Sequence, residues 1–395
     1  MSSLSLASSA SITIPTGPVT PPEPPSVEGQ RLTASTLKPT FETLGPSSSS
    51  TRVSCFWESS VGERLWDRYS NATSWNYTPP TFTHSIAQSQ ISGGGHGVFA
   101  TQDIDAGEVV IEERSLLVTF GFTPERRDRE LEERILAGMS VEGRKAFLSL
   151  GNAFESSEGK VFGRVLTNGI GIGTLEGSKM EGGYVAVAEH IARVNHSCRP
   201  ATSWRFDSTN FTLQLRALQP ITSGSEITTS YIDILLPSSS RQSELRRKYG
   251  FTCSCTACTL PPASRELKYS DMSRSLLKTW AKNNGYDVHE KELRAWVSRA
   301  SSMDGKDREK EDMKMIDRYL NMARTMEREQ TWPADVWTRV LQPLVKVYCA
   351  LGDKENAILW ARVAEHLAKV ATGHDEGWSK VAENPERSDW WGLVF

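Results

Sequence analysis

The clearest signal in the chain is an alternation of apolar and polar positions near its middle. Residues 204–206 and 211–215 carry apolar side chains at every second position, and the polar tetrad 207–210 separates them. Period-two alternation on both sides of a short polar segment predicts a β-hairpin. Strand-like patterns also occur at 98–100, at 108–111 and at 161–167.

Two helices are predicted between these strands. Thr123 and Pro124 have the residue types of a helix N-cap and first helical position. The charged run at 126–134 that follows is typical of a solvated helix face. Ser140 predicts the cap of a second helix that ends near Leu150.

After the Pro-Pro pair at 261–262 the pattern acquires a helical period. Apolar residues recur at intervals of three or four through 307–330, which predicts an amphipathic helix. Segments 336–350 and 355–371 predict an antiparallel helix pair that resembles a tetratricopeptide-like unit. Pro343 is expected to kink or restart the first helix of that pair.

The N-terminal part has a different composition. Residues 1–52 are dominated by Ser, Thr and Pro, which bury too little apolar surface to offset the entropy of ordering, so a disordered tail is expected. A regulatory or targeting tail is an alternative. Residues 53–82 are rich in aromatic side chains and predict an arm that is tethered to a folded core.

Charge and composition narrow the class of protein. The 395 residues carry a formal net charge of −3 with acidic and basic residues interleaved, so nucleic acid is not an expected partner. There is no run of eighteen apolar residues and no basic segment before an apolar stretch at the N-terminus, so neither membrane insertion nor secretion is expected. The cysteine pattern fits a reducing compartment, either nucleus or cytoplasm.

Cysteine spacing points to a metal site. Cys253, Cys255 and Cys258 place three thiols in six residues, which suits chelation of zinc better than pairwise disulfides. Cys198, in a turn-like setting before Arg199 and a proline, is the best candidate for the fourth ligand. Ordinary reduced thiols in a loop are the alternative. The two other cysteines, Cys55 and Cys349, are expected to be packing residues.

Three motifs, in this order, resemble the SET domain of protein lysine methyltransferases with its cysteine-rich post-SET tail. They are Asn195-His-Ser-Cys198, the block Gly-Ser-Glu-Ile-Thr-Thr-Ser-Tyr that ends at Tyr231, and Tyr249-Gly-Phe-Thr-Cys-Ser-Cys-Thr-Ala-Cys258. The resemblance covers roughly residues 85 to 260. The helical sequence that follows is most similar to the SMYD branch, although six cysteines cannot supply both a post-SET zinc and the two-zinc MYND finger of that branch.

The resemblance implies an α+β fold. A β-rich SET domain is expected at 83–235 with a helical insert at about 121–160, followed by a post-SET zinc segment at 236–262. The remainder, 263–395, is expected to be an all-α, tetratricopeptide-like region.

By the same resemblance, seven residues are assigned to an S-adenosylmethionine site: His96, Gly97, Asn168, Asn195, His196, Tyr231 and Phe251. The glycine-rich block around Gly97 would line the cofactor with its backbone, and His96 stands where the family often has Arg or Lys. Without the resemblance, the glycine-rich block is equally typical of a β-hairpin, and Asn168 is equally typical of a turn. Asn195 offers an amide donor and an acceptor.

The resemblance assigns catalysis to Tyr231 and Tyr249. Methyl transfer to lysine requires the neutral amine, and deprotonating a free lysine near pH 7 costs about 4 to 5 kcal/mol. A dry channel with aromatic walls lowers that cost by desolvating the ammonium. Tyr231 would orient the methyl group, and Tyr249 would face the amine and limit the number of methyl groups.

The expected function is therefore S-adenosylmethionine-dependent methylation of lysine in a protein substrate, histone or non-histone, by a monomer with one structural zinc ion. Two alternatives remain. The chain could be a catalytically inactive SET scaffold whose helical region binds other proteins. It could also be a zinc-stapled interaction module without a cofactor.

Overall fold

The computed structural model describes residues 39–45, 52–69, 84–90, 95–120, 129–178, 183–283, 285–303 and 305–394. The described residues form two compact units. One comprises the residues up to 232 together with 239–258, and the other comprises 233–238 and 259–394.

The first unit contains all the strands of the described chain. They are Pro39–Leu44 (β1), Val53–Glu58 (β2), His84–Gln88 (β3), His96–Ala100 (β4), Val109–Glu113 (β5), Leu117–Phe120 (β6), Ile170–Gly173 (β7), Tyr184–Val187 (β8), Asn195–His196 (β9), Thr202–Asp207 (β10), Thr212–Ala217 (β11) and Glu226–Thr229 (β12). Three sheets result, with strand orders β1-β2-β6-β8-β7, β10-β11-β5 and β3-β4-β12-β9.

Helices fill the connections and the second unit. Those up to residue 249 are Ser59–Tyr69 (α1), Arg129–Gly138 (α2), Val141–Leu148 (α3), Glu155–Glu158 (α4), Phe162–Asn168 (α5) and Ser238–Tyr249 (α6). The second unit has Arg265–Asn283 (α7), Tyr286–Ala300 (α8), Gly305–Glu329 (α9), Ala334–Ala350 (α10), Lys354–Thr372 (α11) and Trp378–Glu383 (α12). The expected α+β class with an all-α C-terminal region is confirmed.

The sheet β3-β4-β12-β9 positions the motif residues. Strand β9 pairs in parallel with β12, so that Asn195 lies opposite Thr228 and His196 opposite Thr229. Parallel pairing joins segments that are distant in sequence. It therefore brings the Asn195 motif beside the chain that leads to Tyr231.

Three local predictions are confirmed by the structure. Strands β10 and β11 form the antiparallel hairpin expected from the alternation, with Thr202 opposite Ala217 at its open end. The Ser140 hydroxyl accepts a hydrogen bond from the Gly143 amide and caps α3. Helices α9, α10 and α11 coincide with the predicted helical segments 307–330, 336–350 and 355–371.

The N-terminal prediction is wrong for Pro39–Leu44, which forms β1 and pairs with β2. The prediction of a tethered arm at 53–82 is also wrong for Val53–Glu58. These residues form β2, which is buried along its whole length and belongs to the core. Strand β2 obtains its hydrogen bonds from β1 and from a parallel neighbour, β6. Average composition does not reveal such distant partners.

The strand expected at 161–167 is instead the helix α5. The Glu132 carboxylate accepts hydrogen bonds from the backbone amides of Val161 at 2.6 Å and Phe162 at 3.2 Å. A carboxylate at this end satisfies amides that lack partners within the helix and complements the helix dipole. This cap comes from about thirty residues upstream, so the local sequence does not show it.

Pro343 does not restart α10, which continues through it. Nearly every residue of this helix from Val336 onwards is buried, and we infer that packing offsets the backbone hydrogen bond that proline removes.

Several predicted features lie outside the described residues. They are the helix start at Thr123 and Pro124, the glycines at 93 and 94, the aromatic residues Trp75 and Tyr77, and most of the segment 1–52. Among the described helices, none combines the length and the apolar character needed to cross a bilayer.

Candidate active site

The four predicted metal ligands come together. The Sγ atoms of Cys198, Cys253, Cys255 and Cys258 all lie within 4.8 Å of one another, and three of the four residues are buried. The Sγ atoms of Cys198 and Cys258 are 3.5 Å apart. In a tetrahedral site with Zn–S bonds of about 2.3 Å, neighbouring sulfurs are separated by about 3.8 Å. The cluster could therefore hold a zinc ion.

Helix α6 supports the cysteine loop. The Gln242 side chain donates to the Cys253 carbonyl at 2.8 Å and accepts from the Cys253 amide at 3.0 Å. Leu245, one turn further along the helix, is fully buried among the cysteines. Tyr249 is four residues beyond Leu245, and side chains at this spacing share one face of a helix. One face of α6 therefore joins the cysteine cluster to Tyr249.

The four thiols of the cluster change one another's pKa values in opposite directions. Hydrogen bonds from Cys198 and the other two thiols lower the pKa of Cys255, whereas the corresponding hydrogen bonds raise the pKa of Cys253. Arg241, the first residue on the buried face of α6, is fully buried. Burial lowers the pKa of its guanidinium, but the sulfurs of Cys198 and Cys258 raise it, and the net pKa is above its ordinary value. Arg241 thus places a positive charge beside the cluster.

The glycine-rich strand and the Asn195 motif are joined by one side chain. Asn195 Nδ2 donates to the His96 carbonyl at 3.2 Å and to Glu226 Oε1 at 2.7 Å. The same carboxylate accepts from the Ser89 hydroxyl at 2.8 Å. A Cβ atom at Gly97 would lie 2.3 Å from Glu226 Oε1 and 3.0 Å from Asn195 Nδ2. A side chain at this position would therefore have to displace the Glu226 carboxylate from its hydrogen bonds with Asn195 and Ser89.

His196 lies between the cysteine cluster and Tyr231. Its Nδ1 accepts a hydrogen bond from the backbone amide of Tyr231 at 3.1 Å, and its Nε2 is 3.3 Å from Cys198 Sγ. The ring is completely buried. Burial, partly opposed by Cys255, lowers the pKa of His196 to about 4, so the ring is neutral at physiological pH.

Tyr231 and Tyr249 form an aromatic pair whose centroids are 4.9 Å apart. The Tyr231 hydroxyl donates to the Val194 carbonyl at 2.7 Å. The Tyr249 hydroxyl donates to the Tyr231 carbonyl at 3.2 Å. Burial raises the pKa of both phenols, so both keep their protons at neutral pH. Each hydroxyl proton is thus directed to a backbone carbonyl, and each oxygen presents its lone pairs elsewhere.

Phe251 completes this group. Its ring centroid is 6.3 Å from that of His196 and 6.5 Å from that of Tyr231, the latter in an edge-on orientation. Aromatic residues from three motifs therefore lie together at the cysteine cluster.

Asn168 has a different environment from the other predicted site residues. It is the last residue of α5, and its Nδ2 donates to the carbonyls of Gly151 at 2.8 Å and Arg164 at 2.9 Å. These bonds tie the end of α5 to the preceding loop. The hydrogen bonds described for Asn168 do not connect it to Asn195 or Tyr231, and its assignment to a cofactor stays a prediction.

Four supporting residues were not identified from the sequence: Ser89, Glu226, Arg241 and Gln242. Glu226 and Ser89 are ordinary polar residues in strand sequence. Arg241 and Gln242 belong to the polar helix α6. The sequence of α6 gives little sign of a buried face, because Leu245 is its only buried apolar residue before Tyr249. Charge alone would assign Arg241 to solvent.

Comparison with known proteins agrees with this arrangement. Residues 95–232 match the family model of the SET domain. The N-lysine methyltransferase SMYD2-B of Danio rerio is 30% identical over 188 residues, which are 47% of this chain and 40% of that protein. The N-lysine methyltransferase SMYD2 of Homo sapiens is 37% identical over 99 residues, or 25% of this chain and 22% of that protein. The matches thus span less than half the length of these relatives.

Similarity to solved structures is weaker. The SET domain of LSMT bound to lysine and AdoHcy aligns with a TM-score of 0.27 and 9% identity, covering 85% of this chain and 94% of that chain. A ctPRC2 structure bound to S-adenosylmethionine aligns with a TM-score of 0.24 and 16% identity, covering 69% of this chain and 34% of that chain.

Residues 95–232 of this chain form a SET domain, as the matched family model shows. Within that class it is SMYD-like, as its sequence relatives show. The family expected from the three motifs is confirmed.

Proposed function

We propose that this protein is an S-adenosylmethionine-dependent methyltransferase that acts on lysine side chains of proteins. The observation that carries the proposal is the grouping of Tyr231, Tyr249, Asn195 and His196, residues of three separated motifs, around one short parallel strand pair. SMYD2 relatives named as N-lysine methyltransferases support the reaction type.

The residues around Gly97 fit the cofactor assigned by resemblance. The hydrogen bond from Asn195 to the His96 carbonyl brings together the two segments to which the resemblance assigns cofactor binding. The Glu226 carboxylate occupies the space beside the Cα of Gly97, so Gly97 would contribute to the cofactor site through its backbone atoms alone. Gly97, Asn195, His196 and Phe251 would hold S-adenosylmethionine, which supplies an electrophilic methyl group when bound. Asn168 is a further candidate from resemblance.

Tyr231 would act through its oxygen atom. Its proton is engaged by the Val194 carbonyl, so the lone pairs of the phenol are fixed in direction and can accept weak C–H hydrogen bonds from a polarised methyl group. An acceptor that is already oriented needs no reorganisation during the reaction. In this proposal Tyr231 orients and stabilises the group being transferred.

Tyr249 would act on the incoming amine. Its proton is engaged by the Tyr231 carbonyl, so its oxygen can accept an N–H hydrogen bond from lysine. The ring faces of the pair would stabilise a cationic nitrogen at the entrance. Their low-dielectric surroundings favour the neutral amine that must attack. Methyl groups on the nitrogen remove N–H donors, and Tyr249 would therefore limit the extent of methylation.

The four cysteines would hold one structural zinc ion. The chemistry of the donor set fits, because four converging sulfurs leave no position for a substrate ligand. The ion would fix the loop 253–258 to Cys198. Since Phe251 and Tyr249 immediately precede this loop, their positions would depend on that attachment.

The substrate is proposed to be a lysine-containing segment of a histone or of another protein, and the enzyme is proposed to work as a monomer. Transfer of a labelled methyl group from S-adenosylmethionine tests the function, with histones and a cell extract as acceptors and Tyr231→Phe as comparison. Incorporation by the parent and its loss in the variant would support catalysis. Binding of S-adenosylhomocysteine without any incorporation would instead support the inactive scaffold, and the absence of both would support the interaction module.

A further inference from the structure

The side chain of Glu113, the last residue of β5, accepts hydrogen bonds from three consecutive backbone amides. Its Oε1 accepts from His190 at 2.9 Å and from Ile191 at 2.6 Å, and its Oε2 accepts from Glu189 at 3.3 Å and from His190 at 3.1 Å. These amides lie at the start of the short 3-10 helix Ile191–Arg193, which has no side-chain cap from its own N-cap residue. Glu113 therefore caps this helix from a distant strand.

The capped turn ends at the acceptor of the Tyr231 proton. The Val194 amide donates to the Ile191 carbonyl at 3.1 Å and closes the turn, and the Val194 side chain is buried. The Val194 carbonyl then accepts from the Tyr231 hydroxyl at 2.7 Å. The position of this carbonyl is thus set by a turn whose first amides are bound by Glu113.

The next residue, Asn195, is also held by contacts outside the turn. It pairs with Thr228 of β12, and its Nδ2 donates to Glu226 at 2.7 Å. Loss of the Glu113 cap should therefore displace the Val194 carbonyl more than it displaces Asn195. The effect on the tyrosine and the effect on the assigned cofactor residue can be measured separately.

We propose that Glu113 is a positioning residue for Tyr231, which acts by fixing the turn 189–194 and with it the carbonyl that receives the phenol proton. With this carbonyl in place, the lone pairs of the Tyr231 oxygen have one direction. Displacing a reacting geometry by about 1 Å can lower a rate by roughly 100-fold. The consequence for methyl transfer rests on the proposed function, whereas the link from Glu113 to the Val194 carbonyl does not.

Glu113→Gln breaks the link, because one acceptor oxygen becomes an NH2 group that can only donate and faces backbone amides that also donate. Glu112→Gln is the matched control on the same strand. The Glu112 carboxylate is buried and accepts from the side chains of Thr212 at 2.8 Å and Gln214 at 2.9 Å, both on β11. Both substitutions remove a carboxylate from β5, but only the first alters the turn.

NMR can observe the Val194 carbonyl directly. Val194 and Asn195 are the only consecutive Val-Asn pair in the sequence, so carbon-13 in valine carbonyls and nitrogen-15 in asparagine give one carbonyl signal through the peptide bond. Tyr231→Phe removes the hydrogen bond to this carbonyl and supplies the reference change in its carbon-13 shift. We expect Glu113→Gln to move the signal in the same direction and Glu112→Gln to leave it in place. An unchanged signal in Glu113→Gln, or in Tyr231→Phe, would overturn the proposal.

Kinetics test whether the link acts through the Tyr231 hydroxyl. Glu113→Gln should lower kcat roughly 10-fold, less than removal of the hydroxyl, because the phenol is retained but poorly oriented. Affinity for S-adenosylhomocysteine should change little. In the Tyr231→Phe background the same substitution should alter kcat by less than about twofold, since the hydroxyl that it orients is already absent. An equal loss in the two backgrounds would show that Glu113 acts in another way and would overturn the proposal.

Glu113→Asp keeps both acceptor oxygens on a side chain that is one methylene shorter. It replaces Glu113→Gln in both tests if the latter does not fold, and the same non-additivity with Tyr231→Phe is expected. Because the carbonyl signal does not depend on methyl transfer, a protein without transferase activity would refute the proposed function and leave the NMR test of the turn intact.

Discussion

The hydroxyl of Tyr249 donates to the backbone carbonyl of Tyr231 at 3.2 Å, while the two rings pack with centroids 4.9 Å apart. Tyr231 begins the turn after β12, and Tyr249 is the last residue of α6. The hydrogen bond fixes the geometry of the pair, since a phenol ring held at both its face and its oxygen has little rotational freedom.

Replacing Tyr231 with phenylalanine is predicted to lower kcat on the order of 100-fold, because it removes a preorganised acceptor for the transferring group. Affinity for S-adenosylhomocysteine should change little, since the ring is retained. Steady-state kinetics and calorimetry would measure the two quantities. Tyr286→Phe, which removes a hydroxyl that pairs with Thr338 in the helical unit, is the control. Equal kcat in the parent and Tyr231→Phe would exclude the assigned role.

Tyr249→Phe is predicted to shift the products towards higher methylation states. The substitution removes an oxygen that would accept an N–H hydrogen bond from the amine, so a methylated nitrogen is no longer at a disadvantage. Mass spectrometry of a lysine peptide after long incubation would give the ratio of mono-, di- and trimethyl products. An unchanged ratio at equal turnover would show that Tyr249 does not limit methylation.

The purified protein is predicted to contain one zinc ion per chain. Cys255→Ser should lose it, because serine is a poor ligand for a site built from thiolates. Cys349→Ala, at a buried cysteine in α10, should retain it. Metal analysis and thermal unfolding with and without chelator would measure both effects. Full activity of metal-free protein would show that zinc has no structural role here.

Arg241→Met is predicted to weaken zinc binding by roughly 10- to 100-fold, since four thiolates and one zinc ion leave a net negative charge that the buried guanidinium offsets. Arg241→Lys keeps the charge and should lose less. Arg129→Met, at a side chain that is 91% exposed, serves as control for the loss of an arginine. If Arg241→Met and the parent compete equally with a chelator, the charge of Arg241 does not contribute to the site.

Stability is predicted to fall as the pH falls from about 6.5 to 4 partly because of His84. Burial and the nearby His190 lower the pKa of His84 to about 4, compared with 6.5 for an unperturbed histidine. The unfolded chain therefore binds the proton first, and the stability that is complete above pH 6.5 is lost through this interval. The half-buried ring limits the effect to roughly 1 to 2 kcal/mol. Chemical denaturation at several pH values, compared with His84→Gln, would detect it. A parallel pH dependence in the two proteins would contradict the prediction.

The sequence predicted those features whose determinants are local. The hairpin 204–215 follows from alternation, and the helices α9 to α11 follow from their period. The spacing of the three cysteines at 253–258 predicts a metal site, and Cys198 lies beside them as expected. The resemblance to SET domains led us to expect Tyr231 and Tyr249 in one site, and their rings do lie together; their catalytic roles stay a prediction.

Features determined by distant partners were not predicted. The segment 161–167 is rich in strand-forming residues, but its helix is capped by Glu132. Strand β2 has its partners in β1 and β6. In the site, the same holds for Glu226, which joins Ser89 to Asn195, and for Arg241, whose burial depends on how α6 packs. The local sequence pattern does not reveal these contacts, because each of them joins residues that are distant in sequence.

The most direct test of the central claim is to identify the atom that receives the methyl group. The zinc-loaded protein would be incubated with isotopically labelled S-adenosylmethionine and a protein substrate, followed by complete digestion and mass spectrometry of the amino acids. We predict label on the ε-nitrogen of lysine with the parent, and initial labelling on the order of 100-fold slower with Tyr231→Phe. Label on any other residue, or equal label with the two proteins, would contradict the account.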